Sequence, residues 1–86
     1  MIDVNQNVDG SQPNLSIAQC RGARAMLGWS QDELARKANV ARQTIADFER
    51  GARIPIANNL ISIVKALERG GIEILPNNGV RLHKAD

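Results

Sequence analysis

Residues 31 to 48 read QDELARKANVARQTIADF. Leu34, Ala35, Ala38, Val40, Ile45 and Phe48 fill the apolar positions, and Asn39 interrupts them. Apolar residues three and four apart lie on one face of a helix. Asn is among the few residues that tolerate left-handed backbone. The stretch therefore predicts two short helices crossing at a tight turn, with Ala35 small so that the second helix can pass close to the first. A general helical hairpin would not need a small residue at 35, a turn former at 39 and an apolar residue at 40 together.

The flanking sequence supplies further helices with legible ends. Ser16 and Gln19 have the spacing of a capping box, with Leu15 and Cys20 at the hydrophobic-staple positions around it. Helix 1 is expected to run to about Leu27 and stop at Gly28, with Cys20, Ala23 and Leu27 inward. Ser30 and Glu33 repeat the capping box for helix 2, framed by Trp29 and Leu34, and this helix should end near Ala38. Helix 3 is expected over about Arg42 to Arg50, closed by Gly51. Ile45 and Phe48 then face inward, and Arg42, Gln43, Ala46 and Asp47 face solvent. Ala41 is a poor N-cap, costing about 1 kcal/mol relative to Ser. Helix 4 is expected from about Asn58 to Arg69, with Leu60, Ile63, Val64 and Leu67 as its core-facing stripe and Gly70-Gly71 as its stop.

Beyond Gly71 the apolar period changes to two. Ile72-Glu73-Ile74-Leu75 and Val80-Arg81-Leu82-His83 flank Pro76-Asn77-Asn78-Gly79, which predicts a β-hairpin. A three-residue loop, Asn77 to Gly79 with Gly79 left-handed, would set Ile74 opposite Leu82 and Pro76 opposite Val80. A two-residue loop would set Ile74 against His83 and mix the faces. An isolated hairpin is marginal in water, so its apolar face must lie on helices or on a partner. Residues 1 to 14 are polar, aperiodic and punctuated by Gly10 and Pro13, and are expected to form a flexible tail. They hold no Arg or Lys that could serve as a basic arm.

Composition narrows the function classes. One Trp and one Phe are too few for the stacking platforms that bind single-stranded nucleic acid. A net charge of +2 is compatible with an ordinary soluble protein as well as with a polyanion binder. Cys20 is the only cysteine, so no internal disulfide or Cys-based metal site is expected, and its register favours a buried thiol over a redox sensor. No apolar run reaches the roughly 18 residues of a membrane span. The start of the chain has neither the basic nor the apolar character of a secretory signal, so a cytoplasmic location is expected. An enzyme is disfavoured. His83 is the only histidine and has no nucleophile beside it, Asp32 and Glu33 suit the first turn of a helix, and no glycine cluster precedes Lys-Ser or Lys-Thr. No cofactor is expected.

Two helices joined by this kind of turn form a helix-turn-helix, whose second helix is shaped for the DNA major groove. The residues at its start fit that use. Arg42 carries a fork of donors matched to guanine O6 and N7, and Gln43 can pair with adenine N6 and N7. Asp47 could accept from cytosine N4 or repel wrong sequences, although a solvated pairing with Arg50 explains it equally well.

With these elements placed, the stretch from Leu15 to about Leu67 resembles the phage-repressor-like helix-turn-helix regulators, often called the Xre family. The resemblance rests on GWSQDELARKANVARQTIADFERG, Pro55 and the Leu60-to-Leu67 stripe. It implies a mainly α fold: a four-helix, lambda-repressor-like DNA-binding domain over residues 15–69, here followed by a short C-terminal β-hairpin over residues 70–86 that is a candidate dimerisation element. It also implies a transcriptional regulator, commonly a repressor, that binds palindromic double-stranded operator DNA as a homodimer. By position, Arg42, Gln43 and Asp47 correspond to base contacts, and Gln31, Thr44, Arg50 and Arg53 to phosphate contacts. Arg24 and Glu49 correspond to a partly buried structural ion pair. Asn39 and Ala41 depart from the usual Gly and Ser or Thr, and the hairpin stands where phage repressors often have a fifth helix. The alternative function is that of an antitoxin or antiactivator, holding a protein partner on the same fold.

Overall fold

The computed structural model describes residues 14–83, so the expected tail lies outside the described residues except for Asn14. Four helices precede a two-stranded antiparallel sheet: α1 (Ile17–Leu27), α2 (Gln31–Ala38), α3 (Arg42–Glu49), α4 (Ala57–Arg69), β1 (Ile72–Ile74) and β2 (Val80–Leu82). Helix 3 is thus one residue shorter and α4 one longer than the sequence predicts.

Both capping boxes are formed. Gln19 N donates to Ser16 Oγ at 3.0 Å and Ser16 N to Gln19 Oε1 at 2.9 Å. At α2, Glu33 N donates to Ser30 Oγ at 3.0 Å and Ser30 N to Glu33 Oε1 at 2.8 Å. Helix α3 has no side-chain cap at Ala41. Its far end is closed instead by Gly51, at φ +79°, while Ala52 N donates to the Asp47 carbonyl at 2.8 Å. The same arrangement ends α2 with Asn39 at φ +59° and Val40 N bonded to the Ala35 carbonyl at 3.0 Å. The Asn39 conformation redirects the chain from α2 into α3, which makes the corner.

Leu34, Ile45, Ile63, Leu67 and Cys20 lie fully buried at the centre, with Ala23, Ala35, Ala38, Phe48 and Ala66 filling the space between helices. Each helix contributes at its core-facing spacing, so α2 packs on both α3 and α4, and α1 on α3. Trp29 lies across the end of α4: a Cβ at Gly70 would come within 2.8 Å of its ring, and Lys37 Nζ stands 4.9 Å from the ring centroid.

The hairpin forms with a different register from the expected one. Ile74 pairs with Val80, Glu73 with Arg81 and Ile72 with Leu82. The left-handed residues are Asn77 and Asn78, at φ +59° and +66°, rather than Gly79. Gly79 N donates to the Pro76 carbonyl at 3.2 Å, closing a two-residue turn, and Leu75 N donates to Gly79 O at 2.9 Å. Leu75 and Pro76 therefore together oppose Gly79, as in a bulge. Pro76 has no N–H to offer a ladder, which suits it to that position. A side chain at Gly79 would be tight, because a Cβ there would lie 3.1 Å from Leu75 Cβ and 3.2 Å from the Pro76 carbonyl. The shift amounts to two residues, so Ile72, Ile74, Val80 and Leu82 still share a face.

Most of that face is covered by the chain itself, while Leu82 at its end is exposed. Strand β1 packs on α4 and β2 on α1, and Ile72 is buried. Buried Gln19 fixes the hairpin's position: its Nε2 donates to the Leu75 carbonyl at 2.7 Å and the Gly79 carbonyl at 3.0 Å. Both amide hydrogens are thereby used across the mouth of the turn, while Oε1 serves the capping box. One residue anchors the start of α1 and the end of the hairpin together.

Candidate nucleic-acid interface

Helix α3 is held by Ile45 and Phe48 on its buried side, which turns its other side outward. Arg42 and Gln43 are exposed in its first turn, with Thr44, Ala46 and Asp47 half-buried beside them. Arg50 is exposed at its C-terminal cap and Arg53 on the following loop. Nothing in residues 14–83 covers the Arg42–Gln43 end.

Three of the polar side chains on this face are connected. Gln43 Nε2 donates to Asp47 Oδ1 at 2.8 Å. Arg50 donates to the same oxygen, from Nη2 at 2.9 Å and Nε at 3.2 Å. The Gln43 bond, then the Arg50 bond, hold the Asp47 carboxyl below its usual range, so it is ionised at neutral pH. Arg50 offsets that charge locally, which lessens the repulsion an acidic residue would otherwise meet on a polyanion.

Basic residues flank α3 on both sides. One open hollow is lined by Gln43, Thr44 and Asp47 together with Arg53 and Ile54 of the loop. A second, on the opposite flank, is lined by Arg21, Gln31, Ala46 and Arg50, with Arg24 and Glu49 at its base. Arg21 is the member that the sequence pattern does not single out. Its one signal is its place next to fully buried Cys20, which turns it to solvent on α1. Ile54, beside Arg53, is 78% exposed and Ile56 on the same loop 69%.

Beneath this surface lies a buried polar cluster that fixes α3 against α1 and α2. Arg24 donates to Glu49 twice, Nε to Oε2 at 2.7 Å and Nη2 to Oε1 at 2.6 Å, and once from Nη1 to the Trp29 carbonyl at 3.0 Å. Gln31 Nε2 donates to Glu49 Oε1 at 3.1 Å and Cys20 Sγ to Oε2 at 3.1 Å. Burial acts to raise the Glu49 carboxyl, but the bonds from Arg24, Gln31 and Cys20 outweigh it and hold it below the ordinary glutamate range. Burial and the neighbouring Glu49 push the Cys20 thiol far above its usual range, so it stays protonated and donates. Gln31 therefore has one amide hydrogen committed inward, with the remainder of its amide at the rim of the Arg21–Arg50 hollow.

A family model described as helix-turn-helix matches residues 21–74, more than half of the chain. The chain belongs to this Xre-like helix-turn-helix family. It is a DNA-binding helix-turn-helix regulator. None of the curated proteins compared with it gives a significant match. The matched span begins within α1 and ends at the close of β1, so the regulator's corner, its basic loop and α4 all fall inside it. No helix among the described residues is long and apolar enough to cross a membrane.

Proposed function

We propose that this protein is a sequence-specific transcriptional regulator, acting as a repressor, that reads the major groove of double-stranded DNA with α3. The observation that carries this is the exposed start of α3, with Arg42 and Gln43 side by side and arginines on both flanks. A helix lying in the major groove has a phosphate row on each side. Arg53 on one flank, and Arg21 and Arg50 on the other, suit those rows, joined by Thr44 and by the outer part of Gln31. Arg42 and Gln43 then meet base edges, with Asp47 on the same face.

Helix α3 has eight residues and spans only a few base pairs, so useful affinity calls for two half-sites. A homodimer on a palindrome supplies them about one helical turn apart. The inner face of the hairpin is already packed on α1 and α4. A partner copy would therefore meet the free strand edges and the outer surface, where Glu73 accepts from Arg81 at 2.8 Å and pairs with His83 at 2.7 Å. A small protein that covers an operator blocks access to it, which is why repression is the expected outcome.

The test is selection of bound duplexes from a random-sequence DNA pool, followed by binding of the selected duplex at two salt concentrations. The expected result is an enriched inverted repeat whose half-sites are one turn apart, with affinity falling steeply as salt rises. Failure to enrich any sequence would overturn the proposal.

A further inference from the structure

The bond between Gln43 and Asp47 has a consequence for which base Gln43 can accept. A glutamine amide offers two N–H donors on nitrogen and one acceptor oxygen. Gln43 Nε2 lies 2.8 Å from Asp47 Oδ1. The amide oxygen cannot take that place, because it would face an ionised carboxylate oxygen at contact distance. The orientation is thus fixed by the hydrogen bond, because a carboxylate oxygen only accepts: nitrogen toward Asp47, oxygen away. One donor is used, and one donor and one acceptor remain for an incoming base. Adenine presents a matching acceptor and donor, N7 and N6, in the major groove. Guanine presents two acceptors, N7 and O6, and would require both N–H groups or bring O6 against the amide oxygen.

Resting on the reading of α3 as the base-reading helix, we infer that Asp47 is a positioning residue that makes Gln43 select adenine over guanine. It acts by consuming one amide donor and fixing the amide's orientation. Arg50 belongs to the same device. By donating twice to the same Oδ1 it holds the carboxylate in place between turns of α3. It also supplies the countercharge that lets an acidic residue sit on a surface facing phosphates. Asp47 thereby contributes to specificity through Gln43 rather than by touching a base itself.

The experiment uses the full chain, with the duplex selected from the random pool as probe and a panel of single-base-pair substitutions of it. Wild type is compared with Asp47→Ala, Asp47→Asn and Gln43→Ala. The Gln43→Ala variant identifies the base pair that Gln43 reads. At that pair, wild type should prefer adenine to guanine by roughly five- to hundred-fold, the range of one bidentate contact. Asp47→Ala should erase most of that preference while leaving discrimination at the other base pairs intact. Asp47→Asn keeps an acceptor oxygen without the charge, and the two Arg50 donors hold that oxygen at the shared position, so it should retain the adenine preference. Both variants should bind random DNA more tightly than wild type, because each removes a negative charge.

Retention of the full adenine preference by Asp47→Ala would overturn the inference. So would equal loss in the Ala and Asn variants, which would make the charge rather than the hydrogen bond responsible. If wild type selects no sequence at all, the reading of α3 fails instead, and the two failures are told apart by that first step. Circular dichroism melts of each variant check that the fold is retained.

Discussion

Replacing Arg24 by Ala removes the central donor from the cluster under α3. Three hydrogen bonds go: 2.7 and 2.6 Å to Glu49 and 3.0 Å to the Trp29 carbonyl. The Glu49 side chain is only 5% exposed and that of Arg24 19%, so water cannot readily replace the lost partner. Removing one member of a buried ion pair costs about 3–5 kcal/mol. Gln31 and Cys20 still donate to Glu49, which places the expected loss near the low end, about 3 kcal/mol. That is a large part of the total stability of a small domain. Urea unfolding of the two proteins at pH 7 measures it, and a change below about 0.5 kcal/mol would mean that the pair behaves as an exposed one and the argument is wrong.

The pH dependence of that loss provides a second check. In wild type the folded-state carboxyl of Glu49 lies below its ordinary value of 4.5. Its stabilising contribution is therefore complete above the ordinary value and lost as pH falls through the lower, folded one. Without Arg24, burial is no longer outweighed and the carboxyl rises. The variant's penalty is then largest at neutral pH and shrinks on acidification, as Glu49 takes up a proton in the folded state. A penalty constant from pH 7 down to about pH 4 would contradict this sequence of effects.

Three further substitutions have distinct signatures. Arg42→Ala should cost roughly 1–3 kcal/mol on the selected duplex and relax discrimination at one base pair, measured by titration against a substitution panel; an equal loss on random DNA would make Arg42 a phosphate contact. Arg53→Ala should weaken binding on all sequences and flatten the plot of log affinity against log salt by about one unit, whereas an unchanged slope would remove Arg53 from the footprint. Ala41→Ser supplies the missing oxygen at the start of α3 and should raise stability by about 1 kcal/mol in thermal unfolding, and no gain would mean that the local geometry keeps the hydroxyl from the α3 amides.

What the sequence made legible was chiefly local. Ser16 with Gln19, Ser30 with Glu33, and Asn39 are signals set by neighbours a few residues apart, and the helix ends follow them closely. The hairpin's existence was legible for the same reason, but its register was not. Asn77, Asn78 and Gly79 can all adopt left-handed backbone, and the choice among them depends on contacts from elsewhere. One such contact is Gln19, which bonds the carbonyls of Leu75 and Gly79 across 56 and 60 residues of chain. No local pattern announces that use of a residue already explained as part of a capping box.

The interface shows the same division. The exposure of Arg42 and Gln43 follows from the inward positions of Ile45 and Phe48, so periodicity alone places them. The Asp47–Arg50 pair is visible from its i, i+3 spacing. The Gln43–Asp47 bond has an equally readable i, i+4 spacing, but a neutral amide carries no charge that directs it to one partner. Arg21 joins the flank of α3 only because α1 packs beside it, which is a tertiary fact.

The central claim is that the open face of α3 enters the groove, and amide chemical shifts recorded while the selected duplex is titrated into isotope-labelled protein test it most directly. The largest changes should fall on residues 42–47, with a second set at Arg53 and Arg21 on the two flanks. Changes confined to the hairpin or to the outer side of α4, with residues 42–47 unmoved, would contradict it.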